Sequence, residues 1–450
     1  MMVRQIAGFG RPEQGPDGCE TVTVARHWRT MQTINVRCCV AGGGPAGVMA
    51  GLLLARAGVD VVVLEKHADF FRDFRGDTIH PSTLELVHEL GSLDALLQLP
   101  HQKARHLAFQ FGAYSGTVAD FAHLKLRCPY IAFMPQWDLL SFLARRGARY
   151  PTFSLKMEAE VTGILEENGK VVGVTATTPR GPLEVRADLV IAADGRTSLV
   201  RERAGLAVEE RGAPMDVLWF SLPRKSSDPD ETSGHFEPGR LLIAIDRSDY
   251  WQFGYVIPKG TIDDLRAHGL PAFQQTVAQA ASYVADRVAL LDDWDKIKLL
   301  TVQVNRLPRW YKPGLLCIGD AAHAMSPVGG VGINLAVQDA VAASNILAAP
   351  LAARRVAEAD LAAVQQRREF PMRVTQAFQV MVQNRVLIPL LAGSGRTMKP
   401  PFVIRLLQWF PLLRALPARF IGVGVRPEHI HAPPYWPDKE TSQYAESEKG

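Results

Sequence analysis

Cysteine is scarce here and carries no pattern. Five occur in 450 residues, Cys19, Cys38, Cys39, Cys128 and Cys317. None shows metal-ligand spacing. Cys38 and Cys39 are adjacent on an expected strand and point to opposite faces, and Cys317 lies in an apolar run. All but Cys19 read as small buried hydrophobes in a reducing compartment, so a cytoplasmic location is expected. No run reads as apolar enough to span a bilayer. Residues 1–30 lack the apolar core of a secretory signal and are rich in polar residues, Gly and Pro. They read as a flexible extension, native or from a misassigned start, ahead of a folded protein that begins at Met31; limited proteolysis should remove them. The net charge of +4 is small and the basic residues are scattered, which argues against a nucleic-acid surface. There are no internal repeats. The length allows two or three domains around a sizeable core.

What the chain does have is a punctuated stretch from Asn35 to Glu65, NVRCCVAGGGPAGVMAGLLLARAGVDVVVLE. It reads as strand, glycine turn, helix and strand. Gly42, Gly44 and Gly47 stand in G-x-G-x-x-G register. Gly42 permits the tight turn, Gly44 lets the backbone approach a pyrophosphate, and Gly47 lets helix and strand pack closely. Pro45 suits the first helical turn and Gly58 the C-terminal cap. The helix start offers free N–H groups to a phosphate. Glu65 ends an otherwise apolar strand, where an acid can accept hydrogen bonds from a ribose. A dinucleotide site is the reading.

Beyond Glu65, Arg72, Arg75 and Gly76 form a basic loop. Arg75 is there either to touch a cofactor or as a solvated arginine. Ser82 to Leu99 reads as helical, broken at Gly91. Short strands follow over 107–130. Ile131 to Ala148 is a strand-to-helix unit with Gln136 and Asp138 at the helix start. Phe153 to Gly181 alternates like a meander, with turns at Asn168-Gly169 and Pro179–Gly181. Strand Leu189–Ala192 then runs into Asp194-Gly195, with a helix opening at Thr197 or Ser198.

Residues 209–302 carry strand-like runs. In the run YWQFGYVIP, Trp251, Phe253, Tyr255 and Ile257 share one face at period two. This aromatic wall is either core against helices over 261–292 or one side of an apolar pocket. Some pocket contact is expected for this sheet, without assignment to residues. A third motif spans Gly314 to Leu347. Its strand ends in Gly319-Asp320, and Pro327 with Gly329, Gly330 and Gly332 leads into a long helix from about Ile333. Asp320 can accept from a polyol hydroxyl, and the helix start offers N–H groups to a planar, electron-rich ligand. His323 reads as structural. Pro371 is expected to end or kink a helix that restarts toward Val386. Residues 400–425 are very apolar with interspersed arginines. They read as a membrane-surface helix or, the favoured alternative, as cover for a substrate cavity or a dimer seam. Residues 433–450 read as a disordered tail.

The set GGGPAG, ADGRTS and GDAAH…PVGGVGIN, in this order and spacing, resembles the single-component FAD-dependent aromatic hydroxylases, the 4-hydroxybenzoate hydroxylase-like (class A) flavoprotein monooxygenases, from about Met31 to Pro350. The resemblance implies an α/β fold: a Rossmann-type FAD-binding domain (31–106, 132–208 and 303–350), an inserted β-sheet substrate domain (107–131 and 209–302) and a C-terminal helical region (351–432). It implies that Gly42, Gly44, Pro45, Ala46 and Gly47 hold the FAD pyrophosphate, and that Glu65, with Lys66 beside it, holds the adenosine ribose. It places Val161 at the adenine, and Arg75 and Gln136 on FAD. Asp194 is tied to both FAD and NADPH, and Asp320 to the ribityl chain. Pro327 lies beside the isoalloxazine, with Gly332, Ile333 and Asn334 at its N1/C2 edge. The chain departs from many members in having PVGGVGIN rather than a Gly-Gln-Gly pattern, and in lacking a thioredoxin-like tail after residue 350. The implied activity is NAD(P)H-driven hydroxylation of an aromatic, polycyclic or quinone-like substrate through a C4a-hydroperoxyflavin, in secondary metabolism. O2 and an apolar aromatic molecule are the partners, the assembly is a monomer or homodimer, and no residue is assigned as catalytic base. The alternatives are a flavin-dependent epoxidase, dehydrogenase or halogenase on the same fold, and a non-catalytic FAD-containing ligand-binding protein. A halogenase would carry a W-x-W-x-I-P-type motif, which Trp251 to Val256 does not match.

Overall fold

In the computed structural model, which describes residues 31–71, 78–111, 114–229, 232–393 and 402–435, the first strand β1 (Gln32–Ala41) runs from exposed to fully buried. Its apolar end feeds a glycine turn and helix α1 (Pro45–Arg56), which returns as β2 (Val61–Leu64). Gly58, at φ +80°, closes the helix as a left-handed cap. A two-residue strand β3 (Thr78–Ile79) precedes α2 (Pro81–Glu89). Gly91, also left-handed, breaks the expected helix where the sequence placed the break. Strands β4 (His106–Phe111) and β5 (Tyr114–Asp120) leave for a second sheet. Helix α3 (Gln136–Gly147) brings the chain back to β6 (Phe153–Lys156) beside β2. The meander β7 (Glu160–Glu167), β8 (Lys170–Thr178) and β9 (Gly181–Ala192) then returns to β1. β9 pairs in parallel along the whole of β1, from Gln32 opposite Leu183 to Ala41 opposite Ala192. All three motifs therefore end at one edge of one sheet, the carboxyl ends of parallel strands, where α/β folds bind ligands.

After α4 (Leu199–Arg203), the second sheet takes β10 (Met215–Pro223), β11 (Ser233–Glu237), β12 (Arg240–Asp246) and β13 (Tyr250–Pro258). It is flanked by α5 (Leu270–Ala280) and completed by β14 (Lys298–Leu300). Its strand order is β14-β10-β13-β12-β11-β4-β5, so the early hairpin joins a sheet more than a hundred residues later in sequence. Strand β15 (Leu315–Cys317) re-enters the parallel sheet beside β9. Helices α6 (Gly332–Ala352), α7 (Glu358–Val382), α8 (Phe402–Trp409) and α9 (Ala415–Gly422) finish the described chain.

Three expectations change. The aromatic wall is core: Trp251, Phe253, Tyr255 and Ile257 are buried against Phe273, Val277 and Val284, with the Tyr255 and Phe273 rings 5.5 Å apart. Period two defines two faces, and α5 needs the more apolar one to bury its own stripe. The opposite face, with Val217, Trp219, Leu241, Ile243 and Val256, packs toward Val328 and the end of the C-terminal helices at Leu387 and Leu390. Second, Val328–Ala352 is long and apolar enough, by length and composition, to cross a membrane, contrary to the sequence reading. It is mostly buried, as the central helix packed on α1. Third, α7 does not end at Pro371 but continues past it to Val382, and the chain goes on through one π-turn at Gln383–Leu387. Cys38, Cys39, Cys128 and Cys317 are buried free thiols, and burial pushes Cys39 up to about 12.

Candidate functional site

The glycines of the first turn divide by what surrounds them. Gly42 sits at φ +107°, and a Cβ there would lie 2.4 Å from the Ala193 carbonyl oxygen. A Cβ on Gly47 would lie 1.9 Å from the Gly42 carbonyl oxygen. Gly44, between them at the cap of α1, faces open space with nothing within 4 Å. Two glycines therefore shape the loop, and one leaves its surface bare. Beneath it Glu65 is buried, its Oε2 accepting from the Gly43 N–H at 2.9 Å and its Oε1 from the His67 N–H at 3.1 Å. Lys66 beside it is exposed. The Glu65 N–H donates to the Lys156 carbonyl and the Ala159 N–H to the Glu65 carbonyl, which brings Val161 alongside. Gln136 is the first residue of α3 and half-buried. Arg75, with Arg72 and Gly76, lies outside the described residues.

The second motif abuts the first. The Ala193 N–H donates to the Ala41 carbonyl at 2.8 Å, extending the β1–β9 register into Asp194. One carboxylate oxygen of Asp194 accepts from the Val200 N–H at 3.1 Å, whereas Oδ1 is buried with no partner among the described residues. Burial raises its pKa, only partly offset by the hydrogen bonds from Ser198 and the α4 backbone. Arg201 was missed by the sequence reading. Its guanidinium donates to the carbonyls of Ala321 (3.1 Å) and Arg196 (2.8 Å), tying the second motif to the third. Arg196 Nη2 stands 3.5 Å from Asp320 Oδ2. A Cβ on Gly319 would lie 3.1 Å from Ala46 Cβ and 3.3 Å from Ala336 Cβ. The three segments meet at that point.

The loop ahead of α6 is held from three sides. Thr78 donates to the Gly330 carbonyl at 2.8 Å, and His80 Nε2 lies 3.2 Å from the Gly329 carbonyl. From α7, Gln379 donates to the carbonyls of Ser326 (2.8 Å) and Val328 (2.9 Å), and from the π-turn after it Gln383 donates to Ser326 Oγ at 2.7 Å. Asn334 Oδ1 accepts from Ser82 and Thr83 at 2.7 and 2.9 Å, so its side chain is committed to α2 and only its backbone faces the cradle. The N–H groups of Gly332, Ile333 and Asn334 precede the first bond of the helix, Leu335 N–H to the Val331 carbonyl. Pro327 and Gly332 are half-buried, and Ile333 is buried. None of Thr78, His80, Gln379 and Gln383 was singled out from sequence. The one legible signal was glutamine at 376, 379 and 383, a polar stripe on one helix face. His323 is buried against Asp339 and is structural. An open surface depression of about 510 Å³, lined by Pro308, Tyr311, Glu358 and Gln365, contains none of these residues.

His80 makes this latch acid-sensitive. Burial lowers its pKa from 6.5 to about 4, against the opposing effect of the Gly329 hydrogen bond. The unfolded chain takes up a proton below 6.5 that the folded one refuses until about 4. The stability this group confers is therefore complete above 6.5 and lost as pH falls to 4. Between pH 7 and 5, wild type is expected to lose about 2 kcal/mol more unfolding free energy than His80→Gln. Equal losses in urea titrations would mean that the ring is not buried in its neutral form.

The FAD binding domain family matches residues 35–378. The chain belongs to the class A FAD-dependent monooxygenases. It is similar to 6-methylpretetramide 4-monooxygenase of Streptomyces rimosus, 34% identical over 356 residues that cover 78% of this chain and 84% of that one. Anhydrotetracycline monooxygenase of the same organism is 28% identical, with 67% of this chain and 60% of that one covered. Among solved structures, the OxyS anhydrotetracycline hydroxylase from Streptomyces rimosus shares the fold at TM-score 0.68 and 22% identity, over 86% of this chain and 76% of that one. Cofactors of this monooxygenase family are FAD and NAD(P)H. The cradle suits FAD on its own evidence. Gly44, Gly195 and Gly332, one from each motif, all face open space. The orphaned Asp194 Oδ1 is an acceptor awaiting a donor. Two helices, α1 and α6, start at this cradle with N–H groups suited to a pyrophosphate and to an anionic ring edge.

Proposed function

We propose that this monooxygenase hydroxylates a large, apolar, polycyclic phenol or quinone, bound between the second sheet and the C-terminal helices. Bound FAD supplies the redox chemistry, taking electrons from NAD(P)H and passing one oxygen atom of O2 to the ring. The observation that carries the substrate class is the inner face of the sheet. Val217, Trp219, Phe236 and Ile243 form an apolar layer against Val328, the neighbour of Pro327, and against Leu387 and Leu391. Within that layer the Trp219 indole N–H is buried without a partner among the described residues, a donor suited to a ring carbonyl or hydroxyl. The relatives named for tetracycline-type substrates support the same reading.

Within this reading Gly42, Gly44, Pro45, Ala46 and Gly47 cradle the pyrophosphate, and Glu65 with Lys66 takes the ribose. Val161 contacts the adenine and Gln136 touches FAD, and Arg75, outside the described residues, keeps its assignment to FAD from the resemblance. Asp320 takes the ribityl chain, Asp194 serves both FAD and NAD(P)H binding, and Pro327 with Gly332, Ile333 and Asn334 borders the ring. The start of α6 stabilises negative charge on the reduced ring by its N–H groups and dipole. The discontinuous domain division set out from sequence, with 107–131 and 209–302 as the substrate domain, is part of the proposal. Asp320→Ala is expected to yield largely colourless protein, and a variant with full flavin content would remove the ribityl assignment. For the reaction, the yellow protein is screened with aromatic compounds for accelerated NADPH oxidation, and products formed under 18O-labelled O2 are weighed. Polycyclic phenols should gain one labelled oxygen. Stimulation by small anionic phenols alone would overturn the substrate class, and NADPH oxidation with no label in any product would overturn oxygen transfer.

A further inference from the structure

The outer surface of α8, α9 and the turn between them is the most apolar exposed face described. Phe402, Val403, Trp409, Phe410, Leu412 and Leu416 are each more than half exposed, Leu412 at 79%. The inner side of the same segment is docked. Leu407, Ala418 and Ile421 are buried, and Gln408 donates to the Thr117 carbonyl of β5 at 3.0 Å. The segment is thus held on the fold with a greasy face turned outward, larger than scattered surface residues account for. Cover for a cavity explains the inner side and leaves the outer side unexplained.

Charge indicates what covers it. Between Phe370 and Pro427 there are eight Lys or Arg residues and no Asp or Glu. The stretch is set apart by its lack of carboxylates, its basic residues staying near the density of the whole chain. Arg405, Arg414 and Arg419 lie within the segment, and none has a carboxylate partner among the described residues. Arg405 stacks over Trp409 at 5.3 Å, an aromatic and a cation presented together. A second copy seated on this face about a twofold axis would set arginines against arginines. An anionic lipid surface meets both requirements: aromatic and aliphatic side chains enter the headgroup boundary, and guanidinium groups meet phosphates.

We propose that this face docks the enzyme reversibly on an anionic phospholipid bilayer, lying in the interface and not crossing it. The test is flotation of the full-length flavoprotein with phosphatidylcholine vesicles, with and without a one-third share of phosphatidylglycerol, at low and high salt. Binding is expected with phosphatidylglycerol, weakened by salt and weak on phosphatidylcholine alone. Trp409→Ser/Leu412→Ser and Arg405→Glu/Arg419→Glu, each retaining its flavin, are expected to lose about ten-fold or more in partitioning. Failure to float with anionic vesicles, or equal flotation of the Trp409/Leu412 variant, overturns the proposal. So does a concentration-dependent dimer in sedimentation that the same variant dissolves, since a second copy would then own the face. Flavin content and oxygen transfer are measured separately, so the outcome is independent of the catalytic reading.

Discussion

Gly44→Ala is expected to fold and to purify without colour, whereas Gly47→Ala is expected to fail to fold. The two positions are three residues apart in one motif, and fold-family logic alone would treat both as cofactor contacts. Their surroundings separate them. Gly44 has φ −74° and ψ −175°, extended backbone that alanine adopts freely, and a Cβ there meets nothing within 4 Å. The cost to the apo fold is that of a poorer helix cap, roughly 1 kcal/mol or less. On the proposed reading the methyl enters the space taken by the pyrophosphate, so flavin affinity should fall by two orders of magnitude or more. Gly47→Ala gains about 1 kcal/mol in helix propensity, but its methyl would lie 1.9 Å from the Gly42 carbonyl oxygen and 3.0 Å from the Gly42 carbonyl carbon. Those atoms are backbone, and Gly42 is pinned in turn against Ala193. The clash can be relieved only by parting α1 from β1, at the heart of the main core, and more than 3 kcal/mol of destabilisation follows. Flavin absorbance per mole of protein and the thermal midpoint of the apoprotein check both. A Gly44→Ala protein that stays yellow would mean that no pyrophosphate lies on that turn.

The strand-turn-helix signals of the three motifs were legible because each is local: a glycine, a cap and a strand end lie within a dozen residues. The helix start expected at Thr197 or Ser198 is such a signal, and Ser198 is the one whose Oγ accepts from the Arg201 N–H. What was illegible depends on pairing across the chain. Nothing in YWQFGYVIP says which of its faces meets α5, because both are apolar enough to be buried. Thr78 and His80 look like loop residues until β3 is seen beside Gly330. Gln379 and Gln383 look solvent-facing by composition, yet they are buried and bonded to the loop ahead of α6. Pro371 read as an end or a kink because its missing N–H interrupts the helical ladder, and packing carries α7 past it without an end. Buried polar groups of this kind are a tertiary property, and the sequence marks them only by an odd polar stripe.

Asp339→Asn should be the most damaging conservative substitution outside the glycine turn. Asp339 is fully buried. It accepts from His323 Nε2 at 2.6 Å, from Arg368 Nε at 3.0 Å and from the Gly319 N–H at 3.1 Å, and so carries the strand end that presents Asp320. Burial alone would raise its pKa, but His323 and Arg368 outweigh burial and hold it below the usual carboxylate range. A depressed carboxylate contributes stability above its unfolded pKa and loses it as pH falls toward the folded one, so this cluster weakens only in acid, below about pH 4. At neutral pH the asparagine removes the charge and leaves Arg368, 1% exposed, buried with Glu428 as its remaining carboxylate. A loss of about 3–5 kcal/mol is expected, read as a thermal midpoint lowered by roughly 3–5 °C in a chain of this length, with weakened FAD binding through the loosened Gly319 turn. The second substitution Arg368→Met distinguishes a buried cation short of one carboxylate from a packing defect. If the damage is electrostatic, Asp339→Asn/Arg368→Met recovers at least half of the lost stability, because an apolar side chain of similar length replaces that cation while Glu428 keeps Arg367. A double variant no better than the single one would show that the carboxylate matters for its hydrogen bonds to the Gly319 turn and not for its charge.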